Sequence, residues 1–451
     1  MPMNTQEYNI AHYAAVLVMT LLVAVAMYGL TIWMWDSPAE LRAYDMLLHL
    51  RPAPRADSRI VIVNIDEKST AELGSLPWSR VVHARILNAL RRAGAHMVIY
   101  DLLMNDADTG HPGADDIFRQ AMLSAKTVIL PMVYDPLRDA IWTPSDIRQL
   151  VYLERHALTQ RITYPVDALV YRYYYFVPPW ADFITAAEGV GVDVSPDGES
   201  DIVRQAQLAY LTRVEYPIPS TALPRTMVMP KLINQTAVLE GLPLTAARQW
   251  LRIPMELTQV NIGQDIEFLT DYETRASVPV DEYGRMMINY SGPGGTYPQY
   301  SAVDLLEGRA GRNVLAGKIV LVGVTDPDSS VPIRTPYGLM SKAEVTANSI
   351  ATILNHSFIV RRPIEALAAL LITGVLLGIL LPFVPWRVLG PTSVALPLVY
   401  LIIAIIVMGI SGHVLPLIPG IVLCIVAVVL AGFFRLGSFT RELAAALDER
   451  I

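Results

Sequence analysis

The sequence predicts an α/β domain, a mostly parallel sheet flanked by helices with an elaborated insert, carried by four transmembrane helices, one N-terminal and three C-terminal. Three observations predict it. The 451 residues are 53% hydrophobic and only 17% charged, with a mean hydropathy of +0.38, whereas a soluble chain carries roughly a quarter charged residues. The apolar excess gathers in four runs towards the two ends. Between them, β-rich stretches alternate with helical patterns, the mark of right-handed crossovers and a parallel sheet. Lys and Arg total 35 against 42 Asp and Glu, a net charge of −7. That balance excludes a nucleic-acid-binding surface, which needs clustered cations on phosphates.

The first run, Tyr13–Trp35, holds 23 uncharged residues, enough to cross a hydrocarbon core about 30 Å thick at about 1.5 Å per residue. Ala24-Val25-Ala26 mimics a signal-peptide cleavage site. Residues 1–12 carry no Lys or Arg, however, and the run continues past Ala26, so an uncleaved anchor is expected.

Arg59–Ile65 is a continuous apolar β-rich run, as in a strand buried on both faces. It ends in Asp66-Glu67-Lys68-Ser69, a polar turn into a short helix. Pro77 then opens a helical pattern through Arg92, with Val81, Val82, Ile86, Leu87 and Leu90 on one face. Met97–Leu103 is the next strand, Asp115–Ser124 a helix and Thr127–Val133 a third strand. The pattern returns with strands at Arg285–Tyr290, after the turn Asp281–Gly284, and at Lys318–Val324, followed by a helix at Glu344–Leu354. Tyr134–Val280 is less regular and reads as an elaboration, with a hairpin expected around Asp193–Gly198 and Ile202–Leu211. The sheet core is therefore expected from both ends of the segment.

Three further apolar runs follow: Ala366–Val384, Val394–Ile410 with Pro397 inside it, and Val414–Phe434. Trp33, Trp35, Trp386, Phe433 and Phe434 stand at run ends, where amphipathic rings favour the headgroup layer. Arg387, Arg435 and Arg441 mark cytoplasmic ends. The expected layout is a cytoplasmic N-terminus (1–12), spans at 13–35, 363–384, 392–410 and 414–434, an extracytoplasmic domain at 36–362 and a cytoplasmic linker helix at 435–451. The lone cysteine, Cys424, lies in the last run and reads as a packing residue, so the outer domain has to fold without a disulfide.

Asp66, Asp101 and Thr325-Asp326 fall at the C-terminal ends of expected strands, the edge where open parallel sheets form ligand crevices. Together with Glu67 they are candidates for holding a cationic or hydroxylated ligand. The competing reading is that they cap helices and hold loops. Trp78 and Arg80, in Pro77-Trp78-Ser79-Arg80, offer an aromatic face and a guanidinium to a ligand. Alternatively, they form a helix start, with Trp78 packed on the sheet and Arg80 paired to a carboxylate such as Asp66. The aromatic insert with Tyr164, Tyr171, Tyr173, Tyr174, Tyr175, Phe176 and Trp180 reads as a core or edge strand, or as a protein interface. Ser291–Gly295 lacks the spacing of a phosphate loop and reads as a turn. The eight histidines are scattered without metal spacing, and no catalytic signature is present. Neither a metal nor a cofactor is expected. Phe439, Leu443, Leu447 and Ile451 make an apolar stripe after the last run, suited to a dimeric signalling coil or to a helix lying on the inner leaflet.

Residues 59–103 resemble the start of the cyclase/histidine-kinase-associated sensing extracellular domain, type two (CHASE type 2). The features are a strand, Asp66-Glu67, Gly74, Pro77-Trp78-x-Arg80, His83-Ala84 and a second strand ending in Asp101. Residues 278–293 resemble the family's second signature, continued by 317–327 and 343–355. The family's usual Val-Glu-Val-His-Ala motif is here Glu344-Val345-Thr346-Ala347, so no role of that histidine carries over. The resemblance implies a receptor in bacterial signal transduction, multi-pass in the cytoplasmic (inner) membrane. It would detect an extracytoplasmic ligand or protein and act on a cytoplasmic cyclase or kinase that residues 1–451 do not contain, as a homodimer paired through the linker helices. The chain itself is expected not to be an enzyme. The alternative is an envelope scaffold that binds other proteins through its outer domain. A transporter fits less well, since Asp36 and Glu365, the acids nearest a span, stand at its edges.

Overall fold

The computed structural model describes residues 5–134, 153–172, 176–193, 202–213, 236–269 and 274–448. The chain divides into two compact units: Met1–Ala53 with Ile359–Ile451, and Pro54–Phe358. Labels below follow chain order and cover the elements used in the text. The first unit opens with α1 (Thr5–Met34) and α2 (Pro38–Leu50). The second helix was not foreseen. Ser37 caps it by accepting the Glu40 N–H, Pro38 stands in its first turn, and Tyr44, Leu47 and Leu48 are buried.

The α/β unit is built on a seven-stranded sheet. Its strands are β1 (Ile60–Ile65), β2 (Met97–Tyr100), β3 (Val128–Tyr134), β4 (Phe176–Val177), β5 (Gly189–Val192), β6 (Gln299–Ser301) and β7 (Ile319–Val324). The order is β6-β1-β7-β2-β3-β4, with β5 also paired to β3. Every pairing is parallel except β3 with β4. The helices are α3 (Glu67–Leu73), α4 (Arg80–Arg92), α5 (Ala114–Ala125) and α6 (Lys342–Leu354). Alternate strand residues feed two cores, as a period of two requires. Ile60, Ile62, Ile99, Ile319 and Leu321 pack with α6, while Val61, Val63, Val98, Val320 and Val322 pack with α4 and α5. All of α6 from Ala343 to Leu354 is buried. The insert adds antiparallel strands beyond this frame, among them Ala209–Arg213 with Thr236–Glu240 and Thr258–Asn261 with Asp265–Leu269.

Several sequence expectations need correction. The helix expected from Pro77 begins at Arg80, capped by Ser79, and Pro77 follows a cis peptide bond outside it. Val81 is accordingly exposed, and His83, Ala84, Ile86, Leu87 and Leu90 form the buried stripe. Arg285–Tyr290 does not join the sheet. Only Arg285–Met287 is a strand, paired with Gln205–Gln207. The amides of Asn289 and Ser291 bond instead to the side chains of Thr352 and Asn348 on α6, so this stretch needs no ladder partner. The turn of the expected hairpin lies outside the described residues, and the strand after it divides between Arg285–Met287 and Thr236–Glu240. Tyr173, Tyr174 and Tyr175 also lie outside the described residues, while Tyr164 is exposed and Phe176 buried.

The first unit is completed by α7 (Pro363–Leu380), α8 (Leu389–Ser411) and α9 (Leu417–Asp448). Among the described residues, four helical segments are long and apolar enough to cross a membrane: Tyr13–Met34, Pro363–Phe383, Trp386–Ser411 and Leu417–Gly437. Pro397 sits inside α8 without ending it, as is common where neighbouring helices compensate for the missing N–H. Close approach of α1 and α7 depends on Gly374 and Gly378. A Cβ at Gly374 would lie 3.0 Å from Ala24 Cβ, and one at Gly378 would lie 2.5 Å from Thr20 Oγ1 and 2.9 Å from Leu17 Cα. Gly378→Leu should therefore force these helices apart and destabilise the bundle by about 1–3 kcal/mol. Thermal unfolding of the chain in nanodiscs checks this, with Gly432→Leu on α9, where an added Cβ meets nothing within 4 Å, as the near-neutral control.

Candidate functional site

Because β1, β7 and β2 are adjacent and parallel, their C-terminal ends share one edge, and Asp66, Thr325-Asp326 and Asp101 come to it. Their carboxylates take separate partners. Asp66 is the N-cap of α3: its Oδ1 accepts the Ser69 N–H (2.9 Å) and the hydroxyls of Ser69 (2.7 Å) and Ser301 (2.8 Å). Asp326 accepts the hydroxyls of Thr70 (3.3 Å) and Ser329 (2.8 Å), and the Thr325 and Asp326 amides bond to Ile65 O. Glu67 is exposed in the first turn of α3, where a negative charge suits the helix dipole.

Asp101 is different. Its amide bonds to Val322 O, and its carboxylate, almost wholly buried, lies 3.0 Å from Lys342 Nζ. The same ammonium pairs with Asp193, which follows β5 at this edge. Lys342 is the first residue of α6, where a cation opposes the helix dipole. Burial alone would lower the lysine's pKa, but the two carboxylates hold it above the ordinary lysine range. Sequence reasoning missed the pairing of Lys342 with Asp193, for they are 149 residues apart, and in the sequence Asp193 marks only a hairpin turn. The available signal was a lysine two residues before the expected helix Glu344–Leu354. Among the described residues, no group of three or more His, Cys, Asp or Glu side chains is placed to hold a metal ion.

Trp78 and Arg80 lie on the α4 side. Trp78 is buried, donates from Nε1 to Gly74 O (2.5 Å) and packs beside His83, with ring centroids 5.9 Å apart. The Arg80 guanidinium meets Asp115 (Nε to Oδ1, 3.6 Å) and Asp106 O (3.1 Å), and its amide bonds to Asp108 (3.1 Å). The suggested Arg80–Asp66 pair is therefore replaced by Arg80–Asp115, since the Asp66 carboxylate turns back into its own helix. His83 Nδ1 lies 2.7 Å from Tyr100 Oη in the core. Burial, with the Arg80 charge second, lowers the imidazole's pKa to about 4.

At the other end of the chain, α9 runs unbroken from Leu417 to Asp448 and carries positions 439, 443 and 447 of the expected signalling stripe. Ile451 lies outside the described residues.

Among the described residues, four helices long and apolar enough to cross a membrane accompany an α/β unit whose strand ends gather charged side chains, an arrangement compatible with a membrane-embedded sensor. The CHASE2 domain model matches residues 16–381, most of the chain, and the chain belongs to that family of sensory domains. No curated protein and no solved structure matches it significantly.

Two outcomes are expected. Lys342→Met removes the ammonium that Asp101 and Asp193 share. The cost is about 2 kcal/mol, moderated because a third of the lysine side chain is exposed. Adding Asp101→Asn recovers part of the loss, as a double-mutant cycle in urea would measure. For His83, a folded-state pKa below the unfolded one means that the unfolded chain binds the proton first. Its stabilising contribution is thus complete above pH 6.5 and is lost as pH falls towards about 4, on the order of 3 kcal/mol. Melting curves across that window should steepen this loss for the native chain relative to His83→Phe.

Proposed function

We propose that this chain is the sensor module of a bacterial signal-transduction receptor in the cytoplasmic membrane. Residues 36–362 lie outside the cytoplasm, and a ligand or partner acts at the strand-end edge around Asp101 and Lys342, with Asp66, Glu67, Thr325 and Asp326 along the same edge. Trp78 and Arg80 serve as the support of that edge, not as ligand contacts. The observation that carries this reading is the Asp101–Lys342–Asp193 cluster at the start of α6. That helix is buried along its length, and its C-cap residue, Asn355, joins Asp57 and Arg59, which precede β1. Asp57 and Asn355 stand close to the two points where the chain leaves this unit for the apolar helices. A change of pairing at Lys342 would thus displace one rigid element that reaches both chain crossings. α9, continuous through Asp448, carries the linker positions 439–447. These favour a paired helix, a homodimer and an effector cyclase or kinase on the cytoplasmic side.

A second reading, an envelope scaffold, is favoured by the exposed Tyr164, Val166 and Leu169 of the insert, an apolar stretch suited to protein docking.

Placement is tested by cysteine labelling in a Cys424→Ser background. A membrane-impermeant maleimide should label Tyr283→Cys in intact cells and Gly437→Cys only after lysis; the reverse pattern sinks the topology. Coupling is tested by fusing a cyclase catalytic domain after Ile451. Lys342→Met should move its basal output several-fold, and an unchanged output in a folded variant favours the scaffold.

A further inference from the structure

The short helix α2 makes one contact that its size and position would not suggest. The Glu40 carboxylate is buried, and it accepts the Leu417 N–H at Oε1 (2.9 Å) and the Ile418 N–H at Oε2 (3.4 Å). These are among the first amides of α9, donors that a helix cannot satisfy internally and that carry the positive end of its dipole. Pro419, the next residue, brings no N–H. Burial pushes the Glu40 carboxyl above the ordinary glutamate range, opposed by these two amides and by the Arg361 charge.

Other ties surround this contact on the same unit. Arg361 donates to Trp35 O (2.5 Å), stacks over the Trp35 ring (4.5 Å) and lies 3.9 Å from Asp36. Glu365 pairs with His413 (2.7 Å), and Val360 exchanges backbone bonds with Gly412 and Val414. The ends of α1, α7, α8 and α9 are thereby joined, and Glu40 is the member of the set that grips the start of α9.

We infer that Glu40 is a latch: engaged on the α9 N-terminus it fixes α9 to α2, and when α2 moves the carboxylate withdraws and α9 is loosened, held then by the bonds of Arg435 to Leu381 O and Pro382 O. α2 is the segment directly before the chain enters the α/β unit at Pro54. α9 is the helix that continues beyond its span to Asp448. A buried carboxylate satisfied by helix-end amides has two discrete arrangements, paired or withdrawn, and not a graded series. The latch gives the reading above its membrane step, and so rests on that reading for its biological meaning.

The test uses the full chain in nanodiscs, with Cys424→Ser and a nitroxide on Ala445→Cys. Glu40→Ala should raise amide exchange in the first turn of α9 by about tenfold and increase the mobility of the distant label in the same sample. Glu40→Gln, which keeps an acceptor without the charge, should fall between. Faster exchange at the N-terminus with an unchanged label would reduce Glu40 to a local cap and overturn the latch, as would no change at either end. Should Glu40→Ala fail to fold, Glu40→Gln and Glu40→Asp carry the same two readouts with the same criteria. Neither readout uses a ligand or an effector, so failure of the sensor reading leaves this result intact, and the reverse also holds.

Discussion

The placement of β7 between β1 and β2 is the constraint on which the rest of the structure depends. A strand from the far end of the unit is inserted between two strands from its beginning, in register along Ile60–Ile65 with Ile319–Val324 and along Met97–Tyr100 with Ile319–Val322. All three are buried on both faces, so the alternating residues must find helices on each side. Once β7 is seated, α6 follows it across one face, and the chain leaves the unit close to where it came in. The Asp57–Arg59–Asn355 network records that closure, with Arg59 Nη2 within 2.6 Å of Asn355 Oδ1.

That arrangement also explains why charge sits where it does. Lys342 begins a helix whose dipole disfavours it, while Glu344 in the same turn completes a capping box with Ser341 and takes the Gly295 amide. The lysine is retained against the dipole because Asp101 and Asp193 face it from two strand ends. Elsewhere the acids of this edge are satisfied locally by hydroxyls and amides. Lys342 is the point at which an outside charge would compete with an existing ion pair, whereas Asp66 is held by the Ser69 amide and hydroxyl of its own helix.

The membrane unit obeys different economics. Apolar helices gain little from one another in lipid, so their association depends on close approach and on polar ties. Gly374 and Gly378 permit the first, against Ala24, Thr20 and Leu17. Tyr400, bonded to Pro416 O and packed on Gly420, and the Arg361, Glu365–His413 and Glu40 contacts provide the second. Cys424 takes its place among these buried residues.

Local pattern was enough to read the apolar helices, the strands at Ile60, Met97, Val128 and Ile319, the family, and the gathering of Asp66, Asp101 and Asp326 at strand ends. Periodicity and strand-end position are properties of a few consecutive residues, and burial enforces them wherever they occur. What only the tertiary structure decided was partnership. Arg80 meets Asp115 and not Asp66, and Arg285–Met287 pairs in the insert because α6 side chains satisfy the amides that follow it. Lys342 joins Asp101 and Asp193, and Glu40 reaches Leu417, 377 residues away. Each of these contacts joins residues whose neighbours carry no mark of the other. They are set by which strand enters the sheet where and which helix ends meet, a matter of crossover and packing that no local spacing encodes.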